Sequence, residues 1–364
     1  MTEINERNYG IDLLRFVAMV YIVVLHTLGH GGVLYSVIPQ TQQYYVVWFL
    51  EIWAYCAVDV FAMISGFASA KHANESWNIK RYLYLWLKVV FYSVLLYFVV
   101  LEYSNNRNID FDAPDFIDLF FPVSNGTYWY FSQYTILFFV APLLHRGFDN
   151  VEKKELISVV VILFFCFSVI ETINGRFAVK GGYNATWLIF CYTVGFTVSK
   201  YSIGKYSNRG LLILLIIILN TVTWFLKIKD VKIVFLGNKM NGDTLISYTS
   251  PTICLISILY LIFFLQVKIK NNVIIKVIKY MAPSVFSIYL INDNPCIRTM
   301  FLKNKFLNWT NYNFIVLMIN VVIFALIFSF VAIFVDRIVM KLFFLLKQVY
   351  NKFLIRVNRG GKLY

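Results

Sequence analysis

Apolar runs long enough to cross a bilayer recur along the whole chain, and that recurrence limits the fold before any motif is read. A spanning helix needs about 20 mostly apolar residues. Ten segments fit: 11–30, 45–70, 83–101, 127–144, 157–173, 186–199, 210–226, 247–266, 280–299 and 313–335. The least regular are 186–199, which is short, and 280–299, which carries Pro283, Asp293 and Pro295. Hydrophobic residues make up 60% of the chain and charged ones 14%, against roughly half and a quarter in a soluble domain. That balance excludes disorder, a coiled coil, a secreted disulfide scaffold and an ordinary cytosolic enzyme. The fold class is read as an all-α integral membrane protein, a bundle of about ten transmembrane helices with no large soluble domain.

The net charge of +14 does not imply nucleic acid, because the basic residues sit in short clusters between apolar runs, where they set orientation and meet anionic lipid. With the N-terminus inside, the inner segments and tail carry about twice the Lys and Arg of the outer ones, so an N-in, C-in arrangement is expected. The basic outer loop 227–246 runs against that bias. No cleavable signal peptide is expected, since the first apolar run contains Arg15 and lacks a small-residue cleavage site. Residues 1–335 are read as the transmembrane domain and 336–364 as a basic amphipathic tail, with Arg337, Lys341, Gln348, Lys352 and Arg356 near one stripe, lying on the inner membrane surface. The five cysteines show no C-x-x-C spacing, and no metal site is expected.

Ionisable groups inside spanning helices are costly and therefore informative. The first segment holds Asp12, Arg15 and His26, with His30 at its outer end. Eleven helical steps carry Arg15 to about 20° from His26 around the axis and roughly 16 Å from it along the axis. One polar face would then line a path across much of the bilayer, which suits two substrates arriving from opposite sides. The alternatives are that Arg15 snorkels to inner phosphates while paired with Asp12, and that His26 is a hydrogen-bonded packing residue. Histidine is nevertheless the side chain best suited to move a proton near neutral pH.

The second segment carries Glu51 and Asp59 and ends in Ser65-Gly66-Phe67, which reads as close helix packing or close approach of a ligand. Lys80, Arg81 and Lys88 sit at the inner end of the third, where they hold a phosphorylated ligand or simply obey the positive-inside rule. Tyr128, Trp129 and Tyr130 open the fourth segment from outside, as an interfacial belt or as rings that stack on sugars. Asn292, Asp293, Asn294 and Arg298 are too dense a polar group for packing alone and are expected to face the cavity of His26.

Together these residues resemble the membrane-bound acyltransferase 3 family. Arg15 and His26 match its Arg-x10-His pattern, and Asp59-Val60-Phe61 with Ser65-Gly66-Phe67 matches its second-helix element. The FP…YWY stretch ending at Pro142 is similar to its fourth-helix region. YLINDNP resembles a later element usually read Tyr-Leu-Ile-His, with Asn292 in place of the histidine. Arg81 is followed at the third position by Tyr84, where the family commonly repeats arginine.

The resemblance implies transfer of an acyl group, usually acetyl from cytoplasmic acetyl-CoA, to a sugar hydroxyl at the outer face. On that basis His26 would be catalytic, as general base or transient acyl carrier, and Arg15 essential to the donor path. Lys80, Arg81 and Lys88 would receive the CoA phosphates, and Ser65, Gly66 and Phe67 would shape the donor channel. Tyr128, Trp129, Tyr130, Asp59, Asn292 and Asp293 are assigned to the acceptor side, Asn292 in a positioning role, with the acidic loop 102–126 beside them. The expected activity is O-acetylation of a surface polysaccharide or its lipid-linked precursor in a bacterial cytoplasmic membrane. No permanently bound cofactor is expected, and the partners are acetyl-CoA, the glycan acceptor and membrane lipid, without nucleic acid. The chain ends soon after the tenth segment, so no esterase-like outer domain is expected. The rival readings are a transporter or flippase for a polysaccharide intermediate, and the same transferase using another donor such as succinyl.

Overall fold

Each of the ten apolar segments is occupied by helix in the computed structural model, which describes residues 7–70, 78–235 and 237–360. Lys71, and the tail stripe that depends on Lys352 and Arg356, fall outside the described residues and side chains. The helices are α1 (Tyr9–Gly29), α2 (Gln42–Tyr55), α3 (Ala57–Ser69), α4 (Ile79–Arg107), α5 (Trp129–Asp149), α6 (Lys153–Phe164), α7 (Glu171–Asn174), α8 (Ala185–Lys200) and α9 (Arg209–Ile228). A short hairpin, β1 (Ile233–Phe235) with β2 (Asn238–Met240), precedes α10 (Pro251–Leu265), α11 (Asn272–Met281), α12 (Val285–Asn292), α13 (Pro295–Ile297) and α14 (Phe314–Gly360). Among the described residues, seven stretches are long and apolar enough to cross a membrane: Tyr9–Gly29, Gln42–Ser69, Ile79–Arg107, Lys153–Asn174, Arg209–Ile228, Asn272–Asn292 and Phe314–Leu345.

The first helix is the axis of the bundle, touching α2, α3, α10, α12 and α14. Its start is set locally: the Asn8 side chain accepts from the Ile11 amide at 3.2 Å, and Asp12 places negative charge in the first turn. Gly10 lets the helix sit against the end of α10, because a Cβ there would lie 2.1 Å from the Phe264 carbonyl oxygen. The outer helices α9 and α14 instead turn rows of Leu, Ile and Phe outward, as lipid-facing helices do.

Local polar and small residues explain where the helices depart from continuous spans. The 45–70 segment breaks at Cys56 into α2 and α3, and Ser257 of α10 donates to the Cys56 carbonyl at 3.3 Å. The 280–299 segment is displaced: the helical stretch begins at Asn272, passes a tight turn at Ala282-Pro283-Ser284, and ends at Asn292. Asn294 then caps α13, accepting from the Cys296 amide at 3.0 Å. The acidic stretch 102–126 begins as the end of α4, so only its later part is loop. Lys227 of the basic loop is drawn inward, paired with Asp243 and lying 4.0 Å over the Trp48 ring. At the C-terminal side α14 runs unbroken through 335–336, and Asp336 is fully buried inside the bundle.

The closest helix contact joins α3 to α8. A Cβ on Gly66 would stand 1.9 Å from the Tyr192 carbonyl oxygen, and one on Gly195 would stand 1.8 Å from that of Met63. Two backbones in reciprocal contact leave no flexible atom to yield. Gly66→Ala should therefore destabilise by roughly 1–3 kcal/mol or more and lower the melting temperature of the detergent-solubilised protein. Gly147→Ala, where nothing lies within 4 Å, should leave it unchanged.

Candidate active site

His26 lies on α1 where the C-terminal end of the helix meets the end of α12. Its Nδ1 is 2.5 Å from Oδ1 of the fully buried Asn292. An amide oxygen can only accept, so Nδ1 donates to it and Nε2 is the ring nitrogen turned away from Asn292. The Asn292 Nδ2 is buried without a partner among the described residues, and the chain on either side of this residue is braced instead. The Tyr128 hydroxyl donates to the Leu290 carbonyl at 2.9 Å and accepts from Asn294 Nδ2 at 2.9 Å. The strand of chain behind the histidine is thereby fixed. On the other side of the ring, Nε2 is 3.9 Å from Asp293 Oδ1, and Arg298 Nη1 approaches the same oxygen at 3.4 Å. Ligand atoms of His26, His30 and Asp293 lie within 4.8 Å of one another, a grouping with the spacing to hold a cation. Arg298 already provides a positive charge beside its carboxylate.

A cavity of about 570 Å³ opens near the other end of α1. Arg15, Asn78 and Arg81 give it polar, cationic walls, Ser65 and Ser69 line it from α3, and Tyr134, His145 and Tyr192 add hydroxyls and an imidazole. Arg15 is anchored by Asp12, whose two oxygens take Arg15 Nη1 at 2.9 Å and Arg7 Nε at 2.6 Å. His145 Nε2 is hydrogen-bonded to the Tyr192 hydroxyl, which is 2.5 Å from Ser69 Oγ. A second, much smaller cavity of about 30 Å³ touches His26, Trp129, Tyr248 and Tyr289. Phe61, Tyr130 and Phe286 line both cavities, so these three rings form the wall that the two share.

The structure brings together some of the predicted residues and separates others. Arg15, Ser65 and Arg81 share the large cavity; His26, Trp129 and Tyr130 share the small one. Asn292 and Asp293 flank the His26 ring. Lys80 is exposed beside Arg81 and does not line the cavity. Lys88 points into the bundle, where its Nζ lies 2.8 Å from Asp336, whose carboxylate also accepts from the Tyr92 hydroxyl at 2.7 Å. Asp59 is fully buried between α3 and α8 and accepts from Trp187 Nε1 at 2.8 Å. Gly66 and Phe67 lie in helix packing and Tyr128 behind the site; none of the three lines either cavity.

Residues not singled out from the sequence also enter. His145 and Tyr192 lie inside apolar runs and meet only through α5–α8 packing. The one cue to His145 was a histidine at the inner end of a span. Tyr55, Tyr183 and Tyr248 cluster with Trp129 at the outer side, with Tyr183 and Trp129 ring centroids 4.6 Å apart.

With that geometry in place, residues 8–334 match the acyltransferase 3 family, described as an acyltransferase domain. The chain therefore belongs to that family and is a multi-pass membrane acyltransferase. No curated protein and no solved structure matches it.

Two expectations follow. Asn292→Ala removes the acceptor that fixes the His26 tautomer, and should lower acyl-transfer turnover by about ten- to hundredfold while leaving half-saturation by the donor unchanged in steady-state assays. Lys88→Met alone strands the buried Asp336 carboxylate and should cost roughly 3–5 kcal/mol. Pairing it with Asp336→Leu should restore the melting temperature and keep donor half-saturation at the wild-type value, the outcome of a scaffold role.

Proposed function

We propose that this protein transfers an acetyl group from cytoplasmic acetyl-CoA to a hydroxyl of a surface polysaccharide or its lipid-linked precursor, across a bacterial cytoplasmic membrane. The observation that carries the reading is the pair of abutting cavities: cationic Arg15 and Arg81 line the one, and a histidine whose Nε2 is turned away from Asn292 lines the other. In this reading the chain crosses the membrane ten times with both termini inside. α5, α8 and α10 complete the count beside the seven stretches that are both long and strongly apolar.

Arg15 and Arg81 offer bidentate guanidinium groups to the donor's phosphates at the inner mouth. The pantetheine arm follows the cavity and brings the thioester past the three shared rings to His26. The acceptor arrives from outside, where the clustered rings of Trp129, Tyr183 and Tyr248 offer an aromatic surface to the apolar face of a sugar ring. Its hydroxyl oxygen bonds to the thioester carbonyl carbon while His26 Nε2 takes the hydroxyl proton. The C–S bond then breaks, and His26 returns the proton to the departing thiolate. Asn292 keeps Nδ1 protonated throughout, and its amide oxygen stabilises the imidazolium that the ring becomes.

The test compares base-labile acetyl on envelope polysaccharide, by proton NMR before and after mild alkali, in cells with wild type or His26→Ala at equal membrane levels. His26→Ala should lower acetylation by about a hundredfold or more. Arg15→Gln should chiefly raise the acetyl-CoA concentration needed for half-maximal transfer in isolated membranes. Unchanged acetylation with impaired polymer export would replace this reading with a transporter.

A further inference from the structure

The small cavity beside His26 has room for about two to three non-hydrogen atoms, since its volume is about 30 Å³ and a single water needs roughly 10–15 Å³ of such space. Its chemistry divides in two. Met19 and Ile22, from the turns of α1 below His26, and Ala57 and Val58, from the start of α3, give it an apolar wall. Tyr130 and Tyr289 form another part, with ring centroids 6.3 Å apart, and both are more than nine-tenths buried. Neither hydroxyl has a hydrogen-bond partner. A buried phenol without a partner costs free energy, and here two of them line one space together with the histidine. Among the described residues no Lys or Arg lines it.

We infer that this cavity is an acyl pocket that admits a two-carbon group and rejects longer or carboxylated ones, with Met19, Ile22, Ala57 and Val58 setting the length limit. The inference rests on the transferase reading above and narrows it to a donor. The acyl methyl packs on the four aliphatic side chains, and the carbonyl oxygen takes the hydroxyls of Tyr130 and Tyr289. As the acceptor oxygen bonds to the carbonyl carbon, negative charge grows on that oxygen against two preplaced donors. The charge collapses as the C–S bond breaks and the proton passes through His26 to sulfur. A propionyl chain has no unfilled volume to occupy. A succinyl group would in addition bury a carboxylate in an apolar wall with no cation beside it.

The test uses membrane vesicles from cells that express the full-length protein and retain their own envelope glycans. They are supplied with radiolabelled acetyl-, propionyl-, butyryl- or succinyl-CoA, and base-labile label in the glycan fraction is counted above vesicles lacking the protein. Transfer should fall at least about tenfold for each added methylene, and succinyl should not be used above background. Met19→Ala and Ile22→Ala should raise the propionyl-to-acetyl ratio about tenfold, with Val58→Ala as a further enlarging change should either fail to reach the membrane. The ratio is taken within one preparation, so a smaller folded fraction cancels. Tyr130→Phe should lower acetyl transfer by roughly a hundredfold with the ratio unchanged. Butyryl or succinyl used within about threefold of acetyl by wild type, or enlarged variants with an unaltered ratio, would overturn the pocket while leaving the transferase intact. No transfer from any of the four donors would overturn the transferase reading and the pocket with it.

Discussion

The hydrogen bond from His26 to Asn292 joins α1 to α12 across 266 residues of sequence, and the rest of the site is arranged so that this one contact is kept. On the α1 side, the outer end of the helix is pinned by backbone bonds from Asn304 to the His30 carbonyl at 3.0 Å and from Phe306 to the Gly31 carbonyl at 3.1 Å. Gly31 permits that approach, because a Cβ there would stand 2.5 Å from the Phe306 ring. On the α12 side, the Tyr128 hydroxyl and the Asn294 amide brace the chain on either side of Asn292. An imidazole on an isolated helix would rotate between rotamers. Pinned at both ends of its hydrogen bond, this one has a single orientation and a single tautomer.

Inside a bilayer, apolar burial between helices supplies little, because lipid tails are as apolar as leucine; close packing and internal polar contacts carry association instead. The α3–α8 contact through Gly66 and Gly195 is of the first kind. Asp59 with Trp187, and Lys88 with Asp336 and Tyr92, are of the second. These contacts surround the large cavity without entering it. The charges that remain on its walls, Arg15 and Arg81, are held at its edge, where Arg15 has Asp12 as a fixed counter-ion. Lys88 and Asp336 thus neutralise one another within the bundle, while the guanidinium groups of Arg15 and Arg81 face the large cavity.

That division marks the limit of what the chain could tell as a string. Helical spacing alone put Arg15 and His26 on one face, because both lie on one continuous helix and 100° per residue is enough to relate them. The polar run Asn292–Asp293–Asn294 was legible as a site because that density inside an apolar region has no packing explanation. Lys88 was not legible: its partner Asp336 is 248 residues away, and a lysine near a helix end reads as interfacial until that partner is seen. The donor to Asp59 was hidden in the same way, since Trp187 lies 128 residues further along the chain. His145 and Tyr192 were hidden because each is a single polar group in an apolar run, and only the crossing of α5 with α8 makes them neighbours. The break at Cys56 has no local breaker either, being stabilised by a serine from α10.

The narrowness of the small cavity, walled from the large one by Phe61, Tyr130 and Phe286, has a consequence for the proposed reaction beyond acyl length. A thioester held beside a general base is open to hydrolysis as readily as to transfer, and water is present in large excess over any sugar. The small cavity has space for the acyl group or for a few waters, but not for both. In the proposed reaction, an acyl group that fills it leaves no room for water beside the carbonyl, and the acceptor approaches along the aromatic wall of Trp129 and Tyr248. On that reading, transfer is favoured over hydrolysis by exclusion. The same narrowness that limits acyl length therefore protects the donor, and a change that enlarges the pocket should raise hydrolysis and broaden donor choice together.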